Sequence, residues 1–336
     1  MSCYRYCSPL SSDDHMEPVA VKQSDIEGFL KDYDLGMLRS AVPLDFDERR
    51  PWRIVTDAGE YIVRECFLNT SPDELKFEHA LAKWLADHSY PLSQPVTTRS
   101  GVTWCERGGR LFAIYTPVSG EPFRVGNAAQ ARSAGAALAR FHEVASAFPS
   151  ARAKSLPSRF HSPRDNARFL AERHPERPEV AWLVVGLTKL DDDVRRRPLQ
   201  EALLFNDFHP GNVLFDGNEF AGAFDLDCCY WGPRLLDVAR STLGFSLSLE
   251  GSPGVPATPV FHVKCSTTFS EGYRSVQPIP SAELRLLPAA FRRQVRAQAL
   301  YDLREVAEQS GRWVEHEWEL SRKQIDLVDS ACSGKL

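Results

Sequence analysis

The sequence predicts an α+β protein in which a small β-rich region precedes a larger helical region. Strand patterns concentrate in residues 16–116, and helical spacing of apolar side chains dominates residues 117–336. A proline- and glycine-rich stretch at residues 116–122, TPVSGEP, marks the boundary between the two regions. Residues 1–15 are polar and are predicted to form a flexible tail, which makes Met16 a candidate natural start.

The β-rich region begins with a predicted hairpin and helix. Residues 52–56 and 61–66 are rich in β-branched and aromatic side chains, and residues 57–60 between them contain a glycine, which favours a tight turn. A helix should follow, because Ser71 precedes a proline and Glu74 stands at the third position of a capping box. Three further short strands are predicted at residues 96–98, 102–106 and 111–115.

The second region reads as a series of helices with a few short strands. Helices are predicted at residues 128–146, 163–173, 178–190, 234–247, 288–310 and 313–329. Short strands are predicted at residues 202–205, 213–215 and 220–226. Residues 250–260 are rich in proline and glycine and are predicted to form a flexible loop.

Composition excludes several classes of protein. The net charge of −5 argues against a strongly basic surface for nucleic acid. No apolar run approaches the ~20 residues that span a bilayer. The eight cysteines include no C-x-x-C pair, which argues against a zinc site or a disulfide framework. We therefore expect a cytoplasmic protein with reduced thiols that binds neither nucleic acid nor membranes.

Three polar side chains have the spacing that phosphoryl transfer requires. Asp207 and Asn212 lie in the segment FNDFHPGN, and Asp225 follows after a predicted strand. Phosphoryl transfer needs a carboxylate that orients an attacking hydroxyl and accepts its proton. It also needs amide and carboxylate oxygens for the Mg²⁺ on a triphosphate. An Asx turn would account for the loop by itself but not for its spacing to Asp225.

Five segments of the chain resemble the aminoglycoside phosphotransferase and choline kinase superfamily, whose members share the protein-kinase fold. They are NDFHPGN at residues 206–212, FDLD at 224–227, GPRLLD at 232–237, AGAALARFH at 134–142 and EGYR at 271–274. The resemblance covers residues 20–325 and is closest to the homoserine-kinase-like and stress-response-kinase-like branches. It implies a bilobal protein-kinase-like fold with a small β-rich N-lobe and a larger helical C-lobe.

The resemblance also assigns roles to single residues. It implies that Asp207 is the catalytic base and that Asn212 and Asp225 hold Mg²⁺. Asp237 matches a structural aspartate of the superfamily. Members usually carry histidine where this chain has Phe205, and because that histidine is mainly a scaffold element we expect modest consequences.

The nucleotide side of the resemblance contains departures. The linker around Tyr115 and Pro117 matches the segment whose backbone binds adenine, which implies ATP as the cofactor. Members often carry a phosphate-contacting lysine where this chain has Arg64, whose geometry differs from that of lysine. Glu78 matches the partner acid of that lysine, so an Arg64–Glu78 ion pair is predicted. Residues 38–51, at the place of the phosphate loop, contain no glycine.

The residues that are candidates for contacting the phosphate acceptor come directly after Asp225. They are Asp227, Tyr230, Trp231 and Arg234. Acidic residues of the later helices are candidates for binding an amine on the acceptor, namely Glu271, Asp302 and Glu305. His209 precedes a proline–glycine pair and is expected to shape the loop, whereas His142 reads as a core histidine.

The sequence therefore predicts an ATP- and Mg²⁺-dependent O-phosphotransferase acting on a hydroxyl of a small molecule, such as an antibiotic, an amino alcohol or another metabolite. Two alternatives stay open: a nucleotide-binding pseudokinase with a regulatory role, which Arg64 and the glycine-free loop favour, and a Ser/Thr protein kinase of the stress-response type. The sequence does not choose the acceptor, ATP over GTP, or a monomer over a homodimer.

Overall fold

The computed structural model describes residues 23–44, 51–67, 70–156, 160–195, 197–251 and 257–334. The predicted tail at residues 1–15 and the candidate start at Met16 lie outside these ranges. The chain divides into two compact units. The sheet unit comprises the described residues up to Gly120 together with residues 221–227, and the helical unit comprises residues 121–220 and 228–334.

The sheet unit contains a five-stranded antiparallel sheet and two helices. The helices are α1 (Gln23–Leu30) and α2 (Pro72–Asp87), and the strands are β1 (Leu38–Pro43), β2 (Trp52–Thr56), β3 (Gly59–Glu65), β4 (Cys105–Arg107) and β5 (Arg110–Tyr115). The strand order is β1-β2-β3-β5-β4. Ile26, Phe29 and Leu30 on one side of α1 share a core with Ile54 and Phe112 of the sheet.

Local sequence signals account for the hairpin and for the start of α2. β2 and β3 pair with Thr56 opposite Gly59, so the two residues between them form the predicted turn. Gly59 has a φ of 140°, which glycine adopts at little cost. The Ser71 hydroxyl accepts from the Glu74 N–H at 3.2 Å, and the Glu74 carboxylate accepts from the Ser71 N–H at 2.9 Å. This reciprocal pair is the predicted capping box.

The helical unit contains eight helices within its described residues. They are α3 (Ala128–Ser146), α4 (Pro163–Arg173), α5 (Pro178–Arg195), α6 (Arg234–Ser246), α7 (Val263–Val276), α8 (Ser281–Leu284), α9 (Leu287–Ser310) and α10 (Glu315–Cys332). Three two-stranded sheets pair β6 (Glu201–Leu204) with β9 (Tyr230–Pro233), β7 (Val213–Asp216) with β8 (Glu219–Ala223), and β10 (Leu247–Glu250) with β11 (Thr258–Phe261). None of the helices in the described ranges combines the length and apolar character of a membrane span.

Two glycines bring the backbones of α3 and α7 into contact. A Cβ atom on Gly135 would lie 2.0 Å from the carbonyl oxygen of Phe269, and a Cβ atom on Gly272 would lie 1.9 Å from that of Arg132. Both distances are far below contact, so neither position has room for a side chain. The crossing of these helices therefore requires glycine on both sides.

The structure corrects some predicted elements. The predicted strand at residues 96–98 is not a strand: Val96 N–H donates to the Ile114 carbonyl, and an isolated bridge joins the preceding residue, Pro95, to Tyr115. The predicted strand at residues 220–226 ends at Ala223. The predicted loop at residues 250–260 contains the start of β11. Helix α7 was missing from the prediction because serines and threonines interrupt its apolar positions.

We predict that Gly272→Ala lowers the free energy of unfolding by about 3 kcal/mol, the upper end for overpacked sites, because the added methyl would meet backbone rather than a movable side chain. Urea titration of the two proteins measures the change. The matched control is Gly28→Ala in α1, where a Cβ has open space. This variant should be neutral or up to about 1 kcal/mol more stable. Equal effects at both positions would contradict the helix crossing described above.

Candidate active site

One buried carboxylate holds the loop that carries Asp207. Asp237, in the first turn of α6, is 1% exposed. Its Oδ2 accepts from the Phe205 N–H at 2.8 Å, and its Oδ1 accepts from the Asn206 N–H at 3.1 Å. His142 Nε2 lies 2.9 Å from the same Oδ2, and His142 Nδ1 lies 2.8 Å from the hydroxyl of Tyr273. His142 is thus a satisfied core histidine, and Asp237 is a scaffold for the loop.

The residue before Asp207 has an unusual backbone. Asn206 has a φ of 63°, a left-handed conformation that asparagine tolerates better than most residues. Its side chain is also held, because Arg240 Nη1 donates to Asn206 Oδ1 at 2.9 Å. The two backbone bonds to Asp237 and this side-chain bond together fix the direction in which the chain enters Asp207.

Asp207 presents one occupied and one unoccupied carboxylate oxygen. Asn212 Nδ2 donates to the Asp207 carbonyl at 3.0 Å and to Asp207 Oδ2 at 2.8 Å. The other oxygen, Oδ1, is buried and accepts no hydrogen bond from the described residues. A buried acceptor without a donor is costly in a folded protein. Asp207 Oδ1 could therefore accept a hydrogen bond from a ligand.

His209 shapes the loop, as the sequence indicated. The Gly211 N–H donates to His209 Nδ1 at 3.0 Å, so this nitrogen is the acceptor of the ring. The Nε2 atom then carries the proton of the neutral ring and lies 3.5 Å from Asp207 Oδ2. A Cβ on Gly211 would lie 2.7 Å from the His209 ring, which explains the glycine at this position.

Arg240 is a site residue that the sequence analysis missed. Its Nη2 lies 3.9 Å from Asp207 Oδ1, close enough for a charge interaction but too long for a hydrogen bond. Asp207, Phe208, His209 and Arg240 line a small depression, here called the Asp207 pocket. The sequence could have indicated this residue, because Arg240 lies three residues after Asp237 and therefore on the same face of α6.

Further predicted site residues lie in the sheet unit. Ala223, the last residue of β8, donates to the Pro91 carbonyl and accepts from the Ser93 N–H. Asp225 follows with a φ of 71°, which ends the strand. This turn brings Asp225 and the nearby Asp227 to a single cation, which sequence spacing alone did not specify.

That cation is Arg64 of β3. Its Nη2 lies 2.7 Å from Asp225 Oδ1 and 3.3 Å from Asp227 Oδ2, and all three side chains are at most 14% exposed. Burial opposes the charge on the guanidinium, but Asp225 and Asp227 outweigh it and raise the pKa of Arg64 further above its usual range. Glu78, buried on α2, acts in the same direction. The contacts that the structure shows for Arg64 are with Asp225 and Asp227, and the Arg64–Glu78 ion pair stays a prediction.

The linker around Tyr115 and Pro117, which is predicted to bind adenine, forms hydrogen bonds with neighbouring segments of the sheet unit. The Tyr115 hydroxyl lies 3.0 Å from His79 Nε2, and burial raises the pKa of Tyr115 well above its usual range. The Thr116 N–H donates to the Gln94 carbonyl at 2.8 Å, and the Thr116 carbonyl accepts from Ser93 Oγ at 2.7 Å. Adenine binding by the backbone around Tyr115 and Pro117 stays a prediction.

The remaining acceptor candidates make structural contacts in the helical unit. Trp231 Nε1 donates to Glu201 Oε2 at 3.0 Å, which crosses the β6–β9 pair that also contains Tyr230. Arg234 is 6% exposed and donates to the Pro278 carbonyl at 2.7 Å. A role for these side chains in acceptor binding stays a prediction.

The donor chemistry of the predicted metal ligands fits Mg²⁺. Mg²⁺ prefers oxygen ligands and needs few of them from the protein, because phosphate and water supply the rest. Asp225 already contacts a cationic group, Arg64. Asn212 directs its amide nitrogen at Asp207, which leaves the amide oxygen as the atom for a metal. Metal binding by Asn212 and by Asp225 stays a prediction.

The antiparallel sheet with its two helices, the helical unit and the Asp207–Asn212 loop are together typical of kinase-like phosphotransferases. The comparison with family models places the chain within that class. Residues 40–254 match the model of APH, the phosphotransferase enzyme family, so the chain belongs to this family. It is accordingly a kinase that phosphorylates a hydroxyl group.

Curated relatives cover most of the chain. A homoserine kinase from Caulobacter vibrioides is 28% identical over 286 residues, which are 81% of this chain and 84% of that protein. A homoserine kinase from Phenylobacterium zucineum is 26% identical over 275 residues, or 80% of each chain.

Solved structures show the same fold at low sequence identity. The amicoumacin kinase hAmiN, in complex with AMP-PNP, Ca²⁺ and Ami, has a TM-score of 0.69 at 14% identity and covers 92% of this chain and 93% of its own. A microcompartment-associated aminopropanol kinase has a TM-score of 0.66 at 16% identity and covers 94% and 98%. These likenesses confirm the predicted α+β, protein-kinase-like fold.

We predict that His79 makes stability depend on pH in the acidic range. Burial, and after it the charge of Arg64, lowers the pKa of His79 to about 4, against 6.5 when it is unperturbed. The neutral ring, which lies 2.5 Å from Thr103 Oγ1, is the folded form. Its contribution is complete above pH 6.5 and is lost as the pH falls towards 4, because the unfolded chain takes up the proton first.

At about 1.4 kcal/mol per pKa unit, the loss from His79 between pH 6.5 and 4 is roughly 3 kcal/mol. Urea titrations across this range should therefore show a shallower fall in stability for His79→Gln than for the parent protein. His88→Gln, at an exposed position after α2, is the control. Parallel curves for the parent and His79→Gln would show that the ring is not held neutral.

Proposed function

We propose that the protein transfers the γ-phosphoryl group of ATP to a hydroxyl of a small amine-bearing metabolite, with Asp207 as the catalytic base. The observation that carries this proposal is the state of the Asp207 carboxylate. Asn212 holds one oxygen, and the other is buried and accepts no hydrogen bond from the described part of the chain. A hydroxyl donating to that oxygen would satisfy it and be oriented for attack.

The chemical step follows from this geometry. The acceptor hydroxyl donates to Asp207 Oδ1, and its oxygen forms a bond to the γ-phosphorus of ATP. The bond between that phosphorus and the β,γ-bridging oxygen breaks, ADP leaves with its electron pair, and the hydroxyl proton passes to Asp207. His209 Nε2 lies 3.5 Å from Asp207 Oδ2, and Arg240 Nη2 lies 3.9 Å from Asp207 Oδ1.

The residues of the sheet unit are proposed to serve the nucleotide. Arg64 can donate two N–H groups to phosphate oxygens, and its present partners are the carboxylates of Asp225 and Asp227. Mg²⁺ held by Asn212 and Asp225 would neutralise charge on the phosphates. ATP is the expected nucleotide, since the amicoumacin kinase of similar fold forms a complex with AMP-PNP, an ATP analogue.

A hydroxylated amine is the acceptor class that the relatives favour. The curated relatives described above are homoserine kinases, and they match over at least four-fifths of this chain. The kinases of similar fold bear the names of amicoumacin and aminopropanol. We therefore propose a small hydroxylated amine metabolite ahead of an antibiotic, and assign no role in resistance.

We predict that Asp207→Asn lowers kcat by at least about 10²-fold, because an amide cannot accept the hydroxyl proton. Nucleotide affinity should be retained, since the substitution leaves the sheet unit unchanged. ADP release measured with L-homoserine as acceptor, and calorimetric titration with ATP, test the two parts. Asp216→Asn, at an exposed position at the end of β7, is the matched control and should keep full activity.

Full turnover by Asp207→Asn would remove Asp207 from the role of base. Nucleotide binding by the parent protein without turnover of any hydroxylated amine would favour the pseudokinase alternative instead. Turnover confined to serine-containing peptides would favour a protein kinase.

We predict that Asp225→Asn raises the Mg²⁺ concentration for half-maximal rate at least about tenfold, because an amide oxygen is a poorer ligand for a hard cation than a carboxylate. EDTA should abolish turnover by the parent protein, and added Mg²⁺ should restore it. Titration of the initial rate with Mg²⁺ at fixed ATP measures the change. An unaltered Mg²⁺ dependence in the variant would show that Asp225 does not hold the metal.

A further inference from the structure

One guanidinium nitrogen in the sheet unit contacts two carboxylates. Arg64 Nη2 lies 2.7 Å from Asp225 Oδ1 and 3.3 Å from Asp227 Oδ2. The side chains of Arg64, Asp225 and Asp227 are 14%, 9% and 5% exposed, so salt and water screen their charges less than at the surface. Asp225 is also the residue of this unit that is proposed above to hold Mg²⁺. A cation of the protein itself therefore contacts a carboxylate that is proposed to hold a metal.

The sheet fixes the place of Arg64. Arg64 lies on β3, the central strand of the five, directly opposite the buried Ala113 of β5. Its guanidinium carbon lies 6.0 Å from the centre of the Tyr115 ring, at the outer limit of a cation–π contact. The Tyr115 hydroxyl in turn lies 3.0 Å from His79 Nε2. Backbone register and packing thus present the guanidinium to the two carboxylates.

A divalent cation on Asp225 would meet a strong repulsion from Arg64 in this position. Mg²⁺ binds carboxylate oxygens at about 2.1 Å, so a metal on either oxygen of Asp225 would lie within a few ångströms of the guanidinium. A double and a single positive charge at that separation repel strongly even at an effective dielectric constant of about 20. Arg64 and Mg²⁺ are therefore competitors for Asp225.

We propose that Arg64 excludes Mg²⁺ from Asp225 while it holds these contacts, and that the phosphates of an arriving nucleotide draw the guanidinium away, so that the metal binds together with the nucleotide and not before it. Asp227 is then a positioning residue for Arg64 rather than a contact of the acceptor. This inference rests on the proposed function, which assigns Asp225 to the metal and Arg64 to the phosphates.

A nucleotide supplies what this exchange requires. Phosphate oxygens match the planar fork of guanidinium donors, so Arg64 can replace its carboxylate contacts with bonds of the same kind. Phosphates also bring negative charge and oxygen ligands for the metal, which offset the repulsion between the metal and Arg64. Because linkage is reciprocal, the metal and the nucleotide each favour the binding of the other through the release of Asp225.

Metal binding by the protein without nucleotide tests the proposal directly. Mn²⁺ is the probe, because it prefers the same oxygen ligands as Mg²⁺ and its electron paramagnetic resonance signal separates free from bound ion. The parent protein should bind Mn²⁺ weakly. Arg64→Gln should bind it at least about tenfold more tightly, because the repelling charge is removed. Adding Asp225→Asn to Arg64→Gln should abolish this gain, which assigns the bound ion to Asp225.

Two further variants control for the loss of an arginine. Arg53→Gln removes an exposed arginine that pairs with Glu60 on the same sheet, and it should leave the Mn²⁺ affinity unchanged. Arg64→Lys keeps the positive charge and should bind Mn²⁺ as weakly as the parent protein. Circular dichroism establishes that each variant is folded.

Nucleotide binding without metal tests the role of Asp227. Calorimetric titration with ADP in the presence of EDTA measures the release of Arg64 in the absence of a competing ion. Asp227→Asn should bind ADP about 2- to 10-fold more tightly than the parent protein, the range for one hydrogen bond, because one contact that retains Arg64 is weakened. The same substitution should have a smaller effect in Arg64→Gln, where no guanidinium has to be released.

These titrations involve no acceptor and no turnover, which separates this inference from the proposed function. A gain in Mn²⁺ affinity in Arg64→Gln that depends on Asp225, in a protein that turns over no hydroxylated amine, would support the exclusion of the metal by Arg64 and overturn the proposed transfer. An unchanged Mn²⁺ affinity in Arg64→Gln, or a gain that survives Asp225→Asn, would overturn the inference.

The role of Asp227 has its own contrary outcome. An ADP affinity that Asp227→Asn leaves unchanged or weakens would overturn this role, and the parent background alone decides it if Arg64→Gln does not fold. An equal gain with and without Arg64 would also overturn it, because Asp227 would then repel the phosphates directly.

Discussion

The catalytic loop depends on Asp237, whose carboxylate accepts hydrogen bonds from two backbone N–H groups. Its Oδ2 accepts from the Phe205 N–H and its Oδ1 accepts from the Asn206 N–H. His142, on α3, also lies within hydrogen-bond distance of Oδ2. These bonds help to fix the left-handed backbone at Asn206, since such conformations persist only where the surroundings hold them. This arrangement sets the direction of Asp207, and the Phe205 ring packs edge-on against Phe141.

The same device recurs in the sheet unit with a cation in place of a carboxylate. Asp225 also has a left-handed backbone, and Arg64 gathers it together with Asp227. In the helical unit a buried charged group holds a left-handed residue directly before Asp207, and in the sheet unit one holds the left-handed Asp225 itself. In both cases the left-handed backbone sets the direction of a carboxylate proposed to act in the reaction.

Much of the fold was predictable because its signals are local. The β2–β3 turn, the Ser71–Glu74 capping box and the helix at residues 128–146 depend on residues close in sequence. The spacing of Asp207, Asn212 and Asp225 also predicts the chemistry of the site. Arg240 was missed, because its place beside Asp207 follows from the register and packing of α6 rather than from any motif. The partners of Arg64 lie more than 160 residues further along the chain.

The bridge from Arg64 to two carboxylates bears on how this chain and its relatives diverge. A guanidinium presents a planar fork of donors and can meet two acids at once, whereas a lysine ends in one compact ammonium. Arg64 contacts Asp225 and Asp227 through the same nitrogen, so exchange of the arginine for lysine is expected to loosen the longer contact, to Asp227. A relative with lysine at this position is then expected to tolerate a neutral residue at the second acidic position.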